Sequence, residues 1–416
     1  MTSRLAERDA VVLGGGPAGS TVATLLADRG IDVVLFERHA FPRFHIGESL
    51  MTETWWTFQR LGVLDRLEAT EFPRKYSVQF ISENGRPSRP FYFNETNPHE
   101  SAVTWQVDRA ELDAMLLDNA RQKGVDVRTG VEAKEVLFDG ERATGVRVRQ
   151  ADGELEDIGA RVVVDATGLN AVLCRQLKLL RPDPKLLKAS IFAHYEGAYR
   201  DAGIDEGATL IIHTKGNRGW FWNIPLSRDR VSVGVVGAVG ELLKSRGKPQ
   251  DILEAEIDDC PTMKQRLAGA RQVTPVHVVN DFSYRASRVA GDGWVLLGDA
   301  FGFIDPVYSS GVLLAFKSAE MAAGTIAEGF ETGDLGRRQL GSFGAEFAAG
   351  LEALRKLVYA FYTPGFSFAD FVRSHPEHQA RLVDLLTGNV FKEGVTDIFE
   401  DMKRWCDLPE ERLLES

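Results

Sequence analysis

The chain has 416 residues, 44% hydrophobic and 26% charged, with a formal net charge of −11. That profile predicts a soluble globular protein of two to three domains and argues against a nucleic-acid partner held by a general basic field. Three cysteines, far apart and odd in number, argue against a disulfide framework or a metal cluster and fit a reduced cytoplasmic compartment. No apolar run is long enough for a transmembrane segment, and the N-terminal MTSRLAERDAVVLGG lacks the apolar core of a signal peptide.

The first elements in the chain organise the rest. Val11-Val12-Leu13 is a β-branched apolar run ending in Gly14-Gly15-Gly16-Pro17-Ala18-Gly19. A helical stretch rich in Ala and Leu follows, then a second apolar run from Val33 to Phe36, closed by Glu37. Strand, tight turn, helix and strand, with glycines at Gly14, Gly16 and Gly19, make a dinucleotide site. Gly14 permits the turn, Gly16 lets backbone approach a pyrophosphate, and Gly19 lets helix and strand pack closely, with Ala18 in the same turn. The phosphates would meet free N–H groups at the helix N-terminus. Glu37 is placed to accept from ribose hydroxyls, and Arg38 follows it.

Next comes a loop through Arg43, His45, Gly47, Glu48 and Ser49, and a helix capped near Ser49 that runs through Trp55, Trp56 and Leu61. Pro73-Arg74-Lys75 breaks that pattern. Residues 76–94 alternate like strands, with Glu83-Asn84-Gly85 a hairpin signal. Trp105 to Gly124 reads as a helix carrying Arg109, which either pairs with a phosphate or is a surface arginine. Val125 to Arg149 reads as short strands, and Arg161 to Gly168 as a buried strand ending in Asp165-Ala166-Thr167-Gly168. Residues 186–275 are mostly strands, followed within that span by a charged helix near 249–268. Gly293 to Ala300 is another buried strand, closed by Gly298-Asp299-Ala300. A helix spans Val312 to Ala327, and the chain is helical from 331 onward except for an aromatic break at Tyr359–Phe368.

Asp165 and Asp299 each end a strand, where open α/β sheets bind their ligands; Asp299 sits where a ribityl chain would pass. With the opening fingerprint they resemble FAD-dependent oxidoreductases of the aromatic-hydroxylase type. The resemblance implies an α/β fold with a discontinuous Rossmann-type FAD-binding domain (1–75, 100–185 and 275–330). It adds a β-sheet substrate domain (76–99 and 186–274) and a small C-terminal helical region (331–416). It also implies FAD as cofactor, since the fingerprint by itself admits NAD equally. No second glycine fingerprint marks a nicotinamide domain.

Within that group the chain resembles the flavin-dependent halogenases at three places: Gly219-Trp220-Phe221-Trp222-Asn223-Ile224-Pro225 matches the W-x-W-x-I-P signature, Lys75 in Phe72-Pro73-Arg74-Lys75 falls where the family has its catalytic lysine, and Phe303 to Val312 is like its loop at the flavin edge. The resemblance implies that reduced FAD, O₂ and a halide ion give hypohalous acid, which Lys75 holds and aims at an aromatic ring; a lysine amine suits this and an arginine does not. Trp220 and Trp222 would wall a tunnel between flavin and substrate, although two Trp on one strand face fit a packed core as well. Lys75 has the alternative of an ordinary solvated lysine beside a turn. Ser310 and Gly311 would bind the halide through backbone N–H groups, or simply begin a helix, and Pro306 belongs to the same loop. Gly47-Glu48-Ser49 resembles a family segment near the flavin.

Tyr308 stands where tryptophan halogenases carry a glutamate. The chain is therefore closer to halogenases of phenols and pyrroles, some of which act on rings tethered to a carrier protein. The implied partners are a separate NAD(P)H-dependent flavin reductase and a small aromatic substrate, free or carrier-bound. None of the eight histidines pairs with a cysteine at metal spacing. The competing expectations are a reductase resembling the geranylgeranyl reductases, an aromatic hydroxylase, or a flavoprotein without turnover.

Overall fold

Ala10 to Leu13 are buried in the strand Glu7–Leu13 because helices cover both faces of a parallel sheet, and an interior strand then needs no polar side. The computed structural model describes residues 7–95, 97–243, 247–280, 283–412 and 414–415; the expectation about a leader falls in part on residues 1–6, outside the described residues. The strand lies between Val33–Glu37 and Leu155–Asp165, both parallel to it. Asp126–Thr129 extends the sheet on one side and Trp294–Leu296 on the other. The three strand ends that carry Leu13, Asp165 and Leu296 are in register, which gathers the turns after them at one edge. The helices Pro17–Ala27 and Gly311–Thr332 pack together there.

A second sheet of eight strands joins distant parts of the chain. Its order is Arg271–Gln272, Lys188–Glu196, Arg230–Ala238, Gly219–Pro225, Thr209–His213, Ser77–Ile81 and Phe91–Tyr92. His277–Asn280 also pairs with Lys188–Glu196, so this sheet reaches past the expected boundary at 274. The alternation of Gly219–Pro225 is hidden by burial: all seven residues are buried, since core lies on both sides.

Three local expectations shift. The helix expected from Trp105 begins at Arg109, because Thr104–Trp105 pairs with Arg74–Lys75 as a short ribbon and Asp108 caps the helix through the Ala110 N–H. Ser49 caps no helix; the helix begins at Thr54, and Ser49 instead bridges Gln106. The charged helix near 249–268 is two helices, Pro249–Asp259 and Pro261–Arg266, since Pro261 cannot continue the first.

The C-terminal region holds the helix Gly344–Tyr362 against the core, with shorter helices beyond it. Its aromatic end is packed inward: Tyr359 donates to Asp183 Oδ1 at 2.6 Å, and Phe361 meets the rings of Trp220, Tyr308 and His213. Buried Arg355 bonds both Glu352 and Asp183, so each charge has its partner. Among the described residues no helix is long and apolar enough to cross a membrane.

Candidate active site

The turns at the sheet edge open onto a cavity of about 570 Å³, within the range of small-molecule and cofactor sites. Gly14, Gly16, Ala18, Glu37, Arg38, Gly47, Glu48, Ser49, Arg109, Asp299, Pro306, Gly311, Trp220 and Trp222 all line it. The fingerprint glycines divide by steric role. A Cβ on Gly14 would lie 2.4 Å from the Ala166 carbonyl oxygen, and one on Gly19 would lie 1.9 Å from that of Gly14. On Gly16 it would meet nothing closer than Arg43 Nη2 at 3.6 Å. Protein packing demands the first two; the cavity side of Gly16 is open for a ligand. No side chain caps the helix behind it, so its first N–H groups remain for phosphate. The Glu37 carboxylate accepts from the N–H groups of Gly15 (2.8 Å) and His39 (2.9 Å), which fixes it at the wall with lone pairs to spare for a ribose. These features fit FAD.

Several expected contacts lie elsewhere. Asp165 does not line the cavity: its carboxylate accepts from Thr167 and Leu173, shaping the turn whose Ala166–Gly168 segment forms the wall. Gly19 and Gly298 serve packing behind the wall, Gly298 donating its N–H to Ser318 Oγ at 2.9 Å. Ser310 is buried with its carbonyl in the helix; Ser309 and Gly311 reach the cavity instead. Ser309 holds a left-handed φ of 59° to enter the helix, which no side chain caps. Arg109 is no surface arginine. Its guanidinium forks onto Asp113 at 2.8 and 3.0 Å and donates to the Ile46 carbonyl at 2.7 Å, passing where Gly47 has no side chain. Burial pushes the half-buried Asp299 carboxyl up to about 7, with Arg109 opposing.

Lys75 is fully buried, contrary to a solvated turn lysine. Its Nζ donates to Ser49 Oγ and the Leu50 carbonyl, both at 2.9 Å, and faces the Phe93 ring. Ser49 Oγ lies 2.9 Å from Thr209 Oγ1, which accepts from Gln106 Nε2 at 2.8 Å. Ser49 and Thr209 line the cavity and Lys75 does not, so one hydroxyl separates the amine from it. Burial pushes the Lys75 amine down to about 7.

Trp220 and Trp222 form part of the same wall with ring centroids 6.0 Å apart. Trp222 donates to Ser232 Oγ at 3.1 Å and lies over Gly234, where a Cβ would fall 2.2 Å from its ring. Trp220 donates to the Tyr362 hydroxyl at 2.9 Å, and Tyr362 donates to Asp305 at 2.7 Å. Tyr308 turns away from the cavity and bonds the Leu357 carbonyl at 3.2 Å. Sequence reasoning passed over Gly234, Thr209 and His194, and took Tyr362 only as part of the aromatic break at Tyr359–Phe368. Only Gly234 carries a signal, a glycine inside an apolar strand opposite a tryptophan.

The chain matches the family model described as FAD binding domain over residues 7–349. It is 30% identical over 95% of its length, and 92% of the relative's, to the pyrrole-2-carbonyl peptidyl-carrier-protein chlorinase of Pseudomonas fluorescens. Against the corresponding brominase of Pseudoalteromonas luteoviolacea it is 33% identical over 78% of this chain and 79% of that one. Among solved structures, the flavin-dependent brominase Bmp2 superposes with a TM-score of 0.87 at 30% identity, covering 96% of this chain and 98% of that one. The myxobacterial chondrochloren halogenase CndH superposes at 0.81 and 31% identity, covering 96% of each.

Proposed function

Because this chain belongs to the FAD-binding domain family and, within it, to the flavin-dependent halogenases, it is an FAD-dependent oxidoreductase, and we propose that it places chlorine or bromine on a phenol or pyrrole ring through Lys75. Two relatives are named for a pyrrole held on a carrier protein, which makes a carrier-tethered pyrrole the first substrate to offer. Reduced by a separate NAD(P)H-dependent flavin reductase, FAD supplies the electrons with which O₂ raises halide to the level of hypohalous acid. The halide is held at the backbone N–H of Gly311, beside Ser309 at the cavity wall, where the uncapped helix start favours an anion. Trp220 and Trp222, locked by Tyr362 and Ser232, keep the ring to be halogenated away from the flavin. The reducing cytoplasm is the proposed compartment, in keeping with three free, buried cysteines.

The observation that carries the reading is the buried Lys75 amine behind Ser49 at the wall that Trp220 and Trp222 share. With burial bringing it to about 7, a substantial fraction is neutral at physiological pH. A neutral amine attacks hypohalous acid, forming N–X and releasing water. The ring then takes the halogen and returns its proton, regenerating the amine. A ring hydroxylase or prenyl reductase has no use for such an amine. Wild type and Lys75→Ala should be given FAD, a flavin reductase with NADH, O₂ and bromide, with carrier-bound and free pyrroles and phenols. We expect brominated ring from wild type, and a loss of roughly a hundredfold or more in the variant while flavin reoxidation continues. Absence of ring halogenation by wild type on every substrate refutes the proposal.

A further inference from the structure

We propose that Glu48, His194 and His277 form a proton path from solvent to the flavin cavity, with Glu48 as its inner end. The inference rests on the halogenase reading, whose overall balance consumes a proton: FADH₂, O₂, X⁻, H⁺ and ArH give FAD, ArX and two waters. That proton must enter a site walled by Trp220, Trp222 and Phe44.

The structure supplies one pair of groups in contact and a third on the same sheet face. Glu48 lines the cavity yet is buried, and its Oε1 lies 2.6 Å from the buried His194 Nε2. The contact is bent from the hydrogen-bond line, and Glu48 Oε2 and His194 Nδ1 have no hydrogen-bond partner. Each such buried atom costs about 1–3 kcal/mol while unpartnered and is open to a proton or a water. His277 is half-buried and pairs across the strands with Phe192, two residues before His194; the two imidazoles therefore share one sheet face. Phe44 covers both, stacked on His277 at 4.5 Å and edge-on to His194 at 5.5 Å.

The titratable groups facing His194 are Glu48 from the loop and His277 from the neighbouring strand. The strand on its other side presents Ser232, Thr274 accepts the His194 backbone N–H at 2.9 Å, and the covering loop presents Phe44. Burial first, and then His194, keep His277 below the usual imidazole range, with Glu48 opposing. A proton taken by His277 at the surface is therefore readily passed on.

The test uses the full-length protein loaded with FAD, a flavin reductase, bromide and monochlorodimedone, so the readout does not depend on the natural ring. His194→Gln keeps a polar group beside Glu48 but cannot relay; His277→Phe keeps the stack on Phe44. We expect His194→Gln to retain FAD and oxygen consumption while bromination falls roughly a hundredfold and H₂O₂ rises in step. Millimolar imidazole should restore bromination. His277→Phe should lose activity increasingly as pH rises. Wild-type bromination and pH profile in both variants overturn the path. So does a pH-independent loss that imidazole does not restore, since the pair would then only prop the loop. If His194→Gln does not fold, His277→Phe decides by the same criteria. Absence of bromination by wild type refutes the halogenase reading instead.

Discussion

Single residues in the fingerprint carry two separable duties. Gly19 and Gly14 are required by the protein's own backbone, whereas a side chain on Gly16 has room until a ligand arrives. Gly16→Val should therefore fold with an unchanged circular-dichroism spectrum and purify colourless, whereas Gly19→Val should fail to give folded protein. Retention of stoichiometric FAD by Gly16→Val would mean that the phosphates lie elsewhere. The glycine spacing was fully legible in the sequence. Which glycine answers to ligand and which to packing was not, because that depends on Ala166, 152 positions after Gly14, folding back over it.

At the scale of elements, the strand Gly219–Pro225 and the helix Gly344–Tyr362 are tied through one chain of hydrogen bonds, Trp220 to Tyr362 to Asp305. Asp305 in turn accepts from Val307 within the flavin-edge loop. Burial pushes its carboxyl up to about 6, against the hydrogen bonds that favour the charged form. Tyr362→Phe removes the shared hydroxyl, leaving Trp220 Nε1 without a partner and Asp305 with only its bond from Val307, so a stability loss of about 2 kcal/mol is expected from denaturant midpoints. With Trp220 freed to turn, more of the oxygen chemistry should end as H₂O₂ per NADH consumed. Unchanged coupling would show that the tryptophan is held by packing alone. The strand and the helix were each readable from local pattern. Their connection was not, since a lone Tyr near the end of an amphipathic helix gives no sign of its partner.

For the whole molecule, the buried ionisable groups in and behind the cavity wall weigh against stability. Lys75 has a folded pKa near 7 against about 10.5 unfolded, so its neutral form is favoured by folding. The resulting penalty is absent above pH 10.5, grows by about 1.4 kcal/mol per unit as pH falls, and is complete below pH 7. Asp299 and Asp305, raised to about 7 and about 6, act in the opposite direction: they cost nothing below their unfolded pKa and most once pH exceeds the folded value. Near neutrality all three penalties are present together. Lys75→Met should therefore raise the melting temperature over wild type, the gap widening from pH 10.5 down to 7 and then levelling. A gap that does not change with pH would mean that Lys75 remains charged in the folded protein.

What the sequence alone determined is what local order encodes: the dinucleotide turn, the buried strands, the tryptophan signature and the position of one lysine in a broken segment. These follow from spacing along the chain, since glycine turns and apolar periodicity act over a few residues. Tertiary structure alone decided the burial of Lys75 behind Ser49, the inward turn of Asp165, the replacement of Ser310 by Ser309 and Gly311 at the wall, and the meeting of Glu48 with His194. Each depends on strands far apart in sequence coming into register, and burial and hydrogen-bond geometry exist only once they do.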